Sequence, residues 1–378
     1  MTHSIVFNPR RMKALIYKES AQIIRDPSSI LICFVLPLLL MFIYGYGVSL
    51  DMNHLRVGLV LEDTSPNAQS FAQSFIDSPF FETHIARDRR FFIEEITRGT
   101  IRGIVVIPSY FSTFNHRPND PAPIQVIADG SEPNTANFVQ NYAQGAWVNW
   151  LAQENISRGT SQSSPINIQP RFWYNEELES KNFLIPGSLA IIMTLIGTLL
   201  TALVVSREWE RGTMEALMST PVNMLELLTG KIIPYFFLGM ISMSLCVIIA
   251  TLYYHIPFRG SFIVLGFVSS IFLLTALGLG LLISTIAKNQ FVAAQSAMVA
   301  AFLPGFILSG FIFEIASMPL PIKIFTHVIP ARYFVSSLQT LFLVGNVWPL
   351  IISDSIAMII IGSVFYTIIS FRMNKRLD

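Results

Sequence analysis

Six apolar stretches, each long enough to cross about 30 Å of hydrocarbon, constrain this chain more than any other feature. They run roughly over 29–50, 184–205, 232–254, 262–283, 292–313 and 349–371. Composition agrees: 13% of residues are charged and mean hydropathy is +0.54, against about 25% charged in soluble domains. The expected fold class is therefore an α-helical membrane protein with six transmembrane helices. The first stretch follows a charged N-terminal region, but its apolar run is long and Tyr44–Ser49 is a poor cleavage site, so it reads as an uncleaved anchor. Basic residues orient the helices. Arg10, Arg11, Lys13, Lys18, Arg25, Arg207, Arg211, Lys231, Lys288, Arg372, Lys375 and Arg376 fall on one side, against Arg259, Lys323 and Arg332 in the opposite short loops. Twelve against three places both termini in the cytoplasm and residues 51–183 outside it. In a Gram-negative cell that segment is periplasmic and the protein sits in the inner membrane.

Residues 51–183 carry the pattern of an inserted extracytoplasmic α/β domain. Leu55–Leu61, Ile101–Pro108 and Ala122–Ala128 are β-rich runs, while Asn67–Ile76, Arg87–Arg98 and Asn134–Asn155 have helical composition. A Ser/Gly/Thr-rich linker covers 157–164, and a short strand is expected around 166–174. At the N-terminus, residues 8–27 place Met12, Leu15, Ile16 and Ile23 on one arc of a helix. Arg10, Arg11, Lys13, Lys18 and Arg25 lie off that arc, the pattern of a helix lying in the inner membrane interface among its lipids. Glu19 interrupts the apolar stripe. It is either a carboxylate reaching for water or one half of an ion pair with a partner protein or the second cytoplasmic loop. Between the last two spans, Pro319, Pro321 and Pro330 alternate with apolar residues, which suggests short outer-leaflet helices over 315–346.

No source of energy is legible in the chain itself. Asp354 is the single carboxylate within a span, which weakens proton or sodium coupling. Gly230-Lys231 lacks the earlier glycine of a phosphate loop. Histidines show no metal-ligand spacing, and Cys33 and Cys246 build neither a disulfide framework nor a zinc site. A net charge of +1 leaves no excess of cations for nucleic acid. Neither an enzymatic role nor a cofactor bound by this chain is expected. The energy must come from a partner, and the connection 206–230 is the place to look. There, charges of both signs precede Gly212 and Thr213, which could cap a short helix over Met214–Ser219 ended by Pro221. Such a helix is expected to expose Met214, Leu217 and Met218 as a docking face, unless it merely lies in the lipid interface.

This segment resembles the ABC-2-type permease family, in particular its multidrug-exporter-like members with a large domain between the first two helices. The signature E-x-E-x-G-T-x-E-x-L followed by proline is met by Glu208, Glu210, Gly212, Thr213, Glu215, Leu217 and Pro221. Lys18-Glu19, Arg25-Asp26-Pro27, Asp129-Gly130-Ser131, Asn134-Thr135-Ala136, Pro304, Ser309-Gly310, Met318-Pro319, Pro330, Tyr333 and Gly345 match in order along nearly the whole chain. Trp209 departs from it, standing where many relatives carry arginine.

The resemblance implies a half-transporter. A second permease, identical or related, would pair with it, and a separate cytoplasmic ATP-binding subunit would hold ATP and magnesium. The loop Glu208–Pro221, including Arg211 and Met218, would be the coupling helix, with the N-terminal interface helix (Lys18, Glu19, Arg25, Asp26) beside it. A translocation path would run between helices 2 and 5, past Thr194, Thr198, Thr201, Gln295, Ser296 and Ser309; close helix packing is the alternative explanation for such small and hydroxyl residues. The substrate is expected to be hydrophobic or amphipathic, with room for a periplasmic adaptor. A structural docking subunit and an exporter of lipid-linked glycans remain alternatives.

Overall fold

The computed structural model describes residues 8–47, 54–114, 124–130, 133–157, 174–175, 179–220 and 222–372. Pro221, the linker 158–164, the strand expected over 166–173 and the basic residues Lys375 and Arg376 lie outside the described residues. Two compact units form, Leu50–Pro170 and the union of Met1–Ser49 with Arg171–Asp378.

The smaller unit holds a four-stranded sheet in the order β2-β1-β3-β4. Strand β1 (Leu55–Leu61) runs parallel to β2 (Phe81–Ala86) and β3 (Gly103–Ile107), and β4 (Gln125–Ala128) closes the sheet antiparallel to β3. The two central strands are buried on both faces, which is why they read as near-continuous apolar runs. β2 went unread in the sequence. It is an edge strand whose Glu82 and Ile85 are exposed, so it lacks an apolar signature and is defined by its pairing with β1. Helices Pro66–Ile76, Arg90–Thr97 and Pro133–Ser157 cover the sheet. Their core is aromatic: Phe71 stacks on Phe111 at 5.6 Å and meets Trp147 and Trp150 edge-on, both at 5.4 Å. The buried indole of Trp150 donates to Ser70 Oγ at 3.1 Å, satisfying its one polar atom.

The larger unit contains six helices long and apolar enough to cross a membrane: Pro27–Gly47, Ser180–Glu210, Leu225–Tyr253, Phe262–Ala287, Gln290–Leu308 and Trp348–Arg372. They are called spans 1 to 6 below. Span 2 is the axis of the bundle, with 89% of its apolar window buried, whereas the others lie between 22% and 50%. Hydroxyl groups tie the helices together: Thr201 donates to the Leu277 carbonyl at 2.8 Å, Thr275 to that of Met358 at 3.1 Å, and Tyr254 to that of Met41 at 3.1 Å. Span 1 widens into a π-turn over Leu31–Val35, and Ser242 of span 3 donates to the Cys33 carbonyl there at 2.5 Å. A widened turn frees backbone groups that a neighbouring helix must satisfy in a low-dielectric setting.

Spans 2 and 3 outrun their apolar stretches. Span 2 continues through Glu210 and span 3 begins at Leu225, so the expected connection 206–230 shrinks to a short helix, Thr213–Ser219, with a few flanking residues. Hydropathy marks apolar length, while helicity continues wherever charged side chains find partners, as the next section describes. After span 5, Gly310 turns the chain with φ +87°. Short helical segments follow at Ile315–Ser317, Leu320–Phe325, Thr326–Val328 and Pro330–Leu343.

Candidate functional site

Four ionisable side chains meet where the N-terminal helix (Pro9–Arg25), the end of span 2 and the start of span 3 converge. Lys18 Nζ lies 3.0 Å from Glu19 and 2.6 Å from Glu208. Lys231 Nζ lies 3.1 Å from Glu19 and also bonds Glu208. Glu19, Glu208 and Lys231 are each at most 3% exposed. Two carboxylates and two ammonium groups cancel in charge, and their alternation makes burial of Glu19, Glu208 and Lys231 tolerable, with Lys18 closing the cluster from its exposed side. Burial pushes the Lys18 ammonium down, but the hydrogen bond it donates to Glu208 and the charges of Glu19 and Glu208 outweigh it. The net effect holds Lys18 above the ordinary lysine range.

Glu19 therefore does not reach for water. It pairs with Lys231 on span 3, a site residue that in the sequence stands out only as a topogenic charge and as part of an incomplete phosphate-loop pattern. A lysine at the head of an apolar span, with no nearby partner in sequence, was the available signal. The N-terminal helix can approach this closely because span 3 carries Gly230 there: a Cβ at that position would lie 2.8 Å from Leu15 Cβ. One turn away, Arg207 pairs with Asp26 at 2.9 Å. Burial raises the Asp26 carboxyl, while hydrogen bonds from Ser29 and Arg207 and the Arg207 charge lower it by more, leaving it below the usual range.

The segment Glu210–Ser219 is built on these fixed ends. Arg211 and Gly212 donate their amides to the carbonyls of Arg207 and Trp209, both at 3.1 Å, and Gly212 adopts φ +67°. A left-handed residue there ends span 2 and redirects the chain. The hydroxyl of Thr213 donates back to the Glu208 carbonyl at 3.2 Å, so Thr213 caps the end of span 2 and Gly212 alone occupies the N-cap of the next helix. Glu210 accepts from Asn289 at 2.9 Å and Gln290 at 2.7 Å, and Lys288 sits 4.9 Å above the Trp209 ring. The turn between spans 4 and 5 is thereby fastened to the same block.

The expected docking face is not the exposed one. Met214 is fully buried and packs with Val205, Leu227, Leu228, Leu281 and Ile369, while Leu217 is half-buried against the same cluster. The side chains of Glu215 and Met218 lie outside the described residues. The short helix spends its apolar side on its own bundle, which fixes its orientation, and Arg211, Gly212, Thr213, Ala216 and Ser219 face outward. Between it and the N-terminal helix runs a groove of about 710 Å³, lined by residues that include Lys18, Arg25, Asp26, Arg207, Arg211 and Thr213. Its four cations outnumber the carboxylates of Asp26 and Glu208.

The residues expected along a path are only partly brought together. Thr194 and Thr198 line a small apolar cavity of about 200 Å³ with Phe272, Ala301, Pro304 and Ile329. Their hydroxyls donate to the carbonyls of Ala190 and Thr194, both at 2.7 Å, so their protons are committed to the helix's own backbone. Thr201 bonds across to span 4, as described above. Gln295 is exposed on span 5, Ser296 is half-buried, and neither lines this cavity. Ser309 belongs to a different cavity beyond span 5.

A bundle of six helices long and apolar enough to cross a membrane, with a charge-locked segment at one end, defines a multi-pass membrane protein. The chain belongs to the ABC-2 family: the family model described as "ABC-2 family transporter protein" matches residues 27–372. It is 51% identical over 367 residues, 97% of each chain, to a protein of Escherichia coli K12 described as "Probable multidrug ABC transporter permease YbhS". A second protein of that organism, "Probable multidrug ABC transporter permease YbhR", is 27% identical over 90% of this chain and 94% of its own. "Linearmycin resistance permease protein LnrN" of Bacillus subtilis is 22% identical over 87% and 90%.

Proposed function

We propose that this chain is the membrane-spanning permease subunit of an ATP-driven exporter that moves hydrophobic or amphipathic, drug-like compounds out of the cytoplasm or the inner leaflet. A separate subunit binds ATP and magnesium and docks on the groove between the N-terminal helix and Thr213–Ser219. Both termini and this groove face the cytoplasm, residues 51–183 lie outside, and a second ABC-2 permease completes the path. The asymmetry of basic loop residues supports the orientation, and the relatives' names support the class of cargo.

One observation carries the reading. The groove is open and basic; a buried charge cluster and the Arg207–Asp26 pair lock one wall, the N-terminal helix, to spans 2 and 3, and buried Met214 packs the other wall on spans 2, 3, 4 and 6. A push on either wall is transmitted to spans 2 and 3 together, because packed and ion-paired elements move as rigid bodies. The test uses Arg25→Glu and Arg211→Glu, two exposed groove residues that bury nothing. Both variants are expected to insert normally but to lose copurification with the ATP-binding subunit, and with it ATP-dependent movement of a lipophilic dye into inverted vesicles. Copurification and dye movement at wild-type levels in both would refute the assignment of the groove.

A further inference from the structure

At the opposite end of span 2 from the groove, a cavity of about 1090 Å³ opens among the first turn of span 2, the segment following span 5, the helix Pro330–Leu343 and the start of span 6. Its volume matches sites that take drug-sized ligands, about 300–1000 Å³. Phe183, Tyr333 and Leu343 give it apolar walls, and Asp354 and Gln339 bring polar groups into it.

The polar groups are unevenly satisfied. Asp354 is 9% exposed and accepts from the hydroxyls of Ser337, at 3.1 Å, and Ser336. Arg332 lines the same cavity, but its guanidinium is held by Thr326 Oγ1 at 2.5 Å and lies 5.7 Å from the Tyr333 ring. Among the described residues no cation lies within ion-pair distance of Asp354, although the Arg332 charge acts on it from farther off. The amide nitrogen of Gln339 is buried without an acceptor. A carboxylate inside a span with only hydroxyl donors is costly to keep, and such residues generally face a functional cavity. Glu314 on the same cavity is exposed and adds negative charge.

We infer that this cavity binds amphipathic organic cations, with the ammonium or iminium group beside Asp354, aromatic or alkyl surface against Phe183 and Tyr333, and an acceptor offered to Gln339. An anion meets two carboxylates, Asp354 and Glu314, against the single guanidinium of Arg332. A transition-metal ion is not suited to it, since the described residues contain no cluster of three or more His, Cys, Asp or Glu side chains. The Tyr333 ring, which the Arg332 guanidinium approaches to 5.7 Å, adds aromatic surface against which a flat organic group can pack. The inference deepens the export reading and rests on it for the direction of movement, while the binding step is measurable without transport.

The experiment titrates ethidium into the full-length protein in lipid nanodiscs, followed by fluorescence anisotropy, with the anion 1-anilinonaphthalene-8-sulfonate as comparator. Saturable ethidium binding is expected, weakened at least about tenfold by Asp354→Asn, because removing one member of a buried charge pair costs that much or more. Ala357→Phe projects a ring into the cavity wall without altering any charge, and is expected to abolish binding. Elution and melting temperature of each variant check that it folds, and Ala357→Phe keeps the test open if Asp354→Asn does not. Unchanged affinity in either folded variant, equal affinity for the anion, or no saturable ethidium binding by the wild type overturns the site. Binding as expected, with no ATP-dependent ethidium movement in vesicles holding the ATP-binding subunit, upholds the site and overturns the export reading instead.

Discussion

Glu208 is the residue on which the charge cluster turns, because it bonds both lysines and is itself buried. Truncating it to Ala leaves Lys231 buried beside a single carboxylate and is expected to cost roughly 3–5 kcal/mol, the range for an orphaned buried charge. Replacing the pair together, Glu208→Leu with Lys231→Met, should cost much less, so a double-mutant cycle by chemical denaturation in detergent checks the coupling. A purely additive cycle would mean the pairs contribute nothing. The Lys18 pair is not a switch at neutral pH. Its raised folded value means its contribution is fully present below the unfolded value of about 10.4 and fades only as pH rises through the folded one. Asp63 is the opposite case. Burial pushes its carboxyl up, but the amides of Ser65 and Ser112, at 2.8 and 3.0 Å, pull it lower by more. Its contribution is present above about pH 3.9 and is lost as pH falls through the depressed folded value. Asp63→Asn should therefore destabilise residues 51–183 by about 1–2 kcal/mol at pH 7 and by clearly less at pH 3, read by urea denaturation of that segment.

At the scale of elements, the direction of the helix Thr213–Ser219 depends on one left-handed residue. A Cβ at Gly212 meets no atom within 4 Å, so Gly212→Ala carries a conformational cost alone, about 1–2 kcal/mol. That variant is expected to fold and retain part of its coupling, whereas Gly212→Pro, which cannot adopt positive φ, should abolish ATP-dependent dye movement while insertion persists. Full transport by Gly212→Pro would show that the direction of this helix does not matter. The same element shows where reading from sequence stops. Its existence follows from the capping residues and its length from Pro221. Which face it buries does not, because Met214 and Leu217 would serve equally well against a partner or against Val205 and Leu281. Only the proximity of spans 2, 3, 4 and 6 chooses the second.

On the scale of the whole molecule, the two units have separate cores. The aromatic group around Phe71, Phe75, Phe111 and Trp150 and the cluster of Val60, Phe92 and Ile104 belong wholly to the smaller one. Residues 51–183 are therefore expected to express as a monomeric soluble domain with cooperative thermal unfolding, checked by circular dichroism and size-exclusion chromatography; a non-cooperative or aggregated product would mean its stability is borrowed from the membrane helices. The larger unit has a different logic. Span 2 is enclosed by its own chain, while spans 1, 5 and 6 leave most of their apolar windows uncovered by it.

The sequence by itself determined the six spans, the sheet's central strands, the segment that redirects the chain at Gly212 and the resemblance to the ABC-2 family, because apolar length, β-rich runs and local caps are properties of consecutive residues. The tertiary structure alone decided the pairing of Glu19 with Lys231, 212 positions apart, the edge strand β2, the burial of Met214 and the hydroxyl-lined setting of Asp354. Each depends on which distant groups share a low-dielectric space. In such a space the energy of a charge or a methionine is set by its neighbours in three dimensions and not by those along the chain.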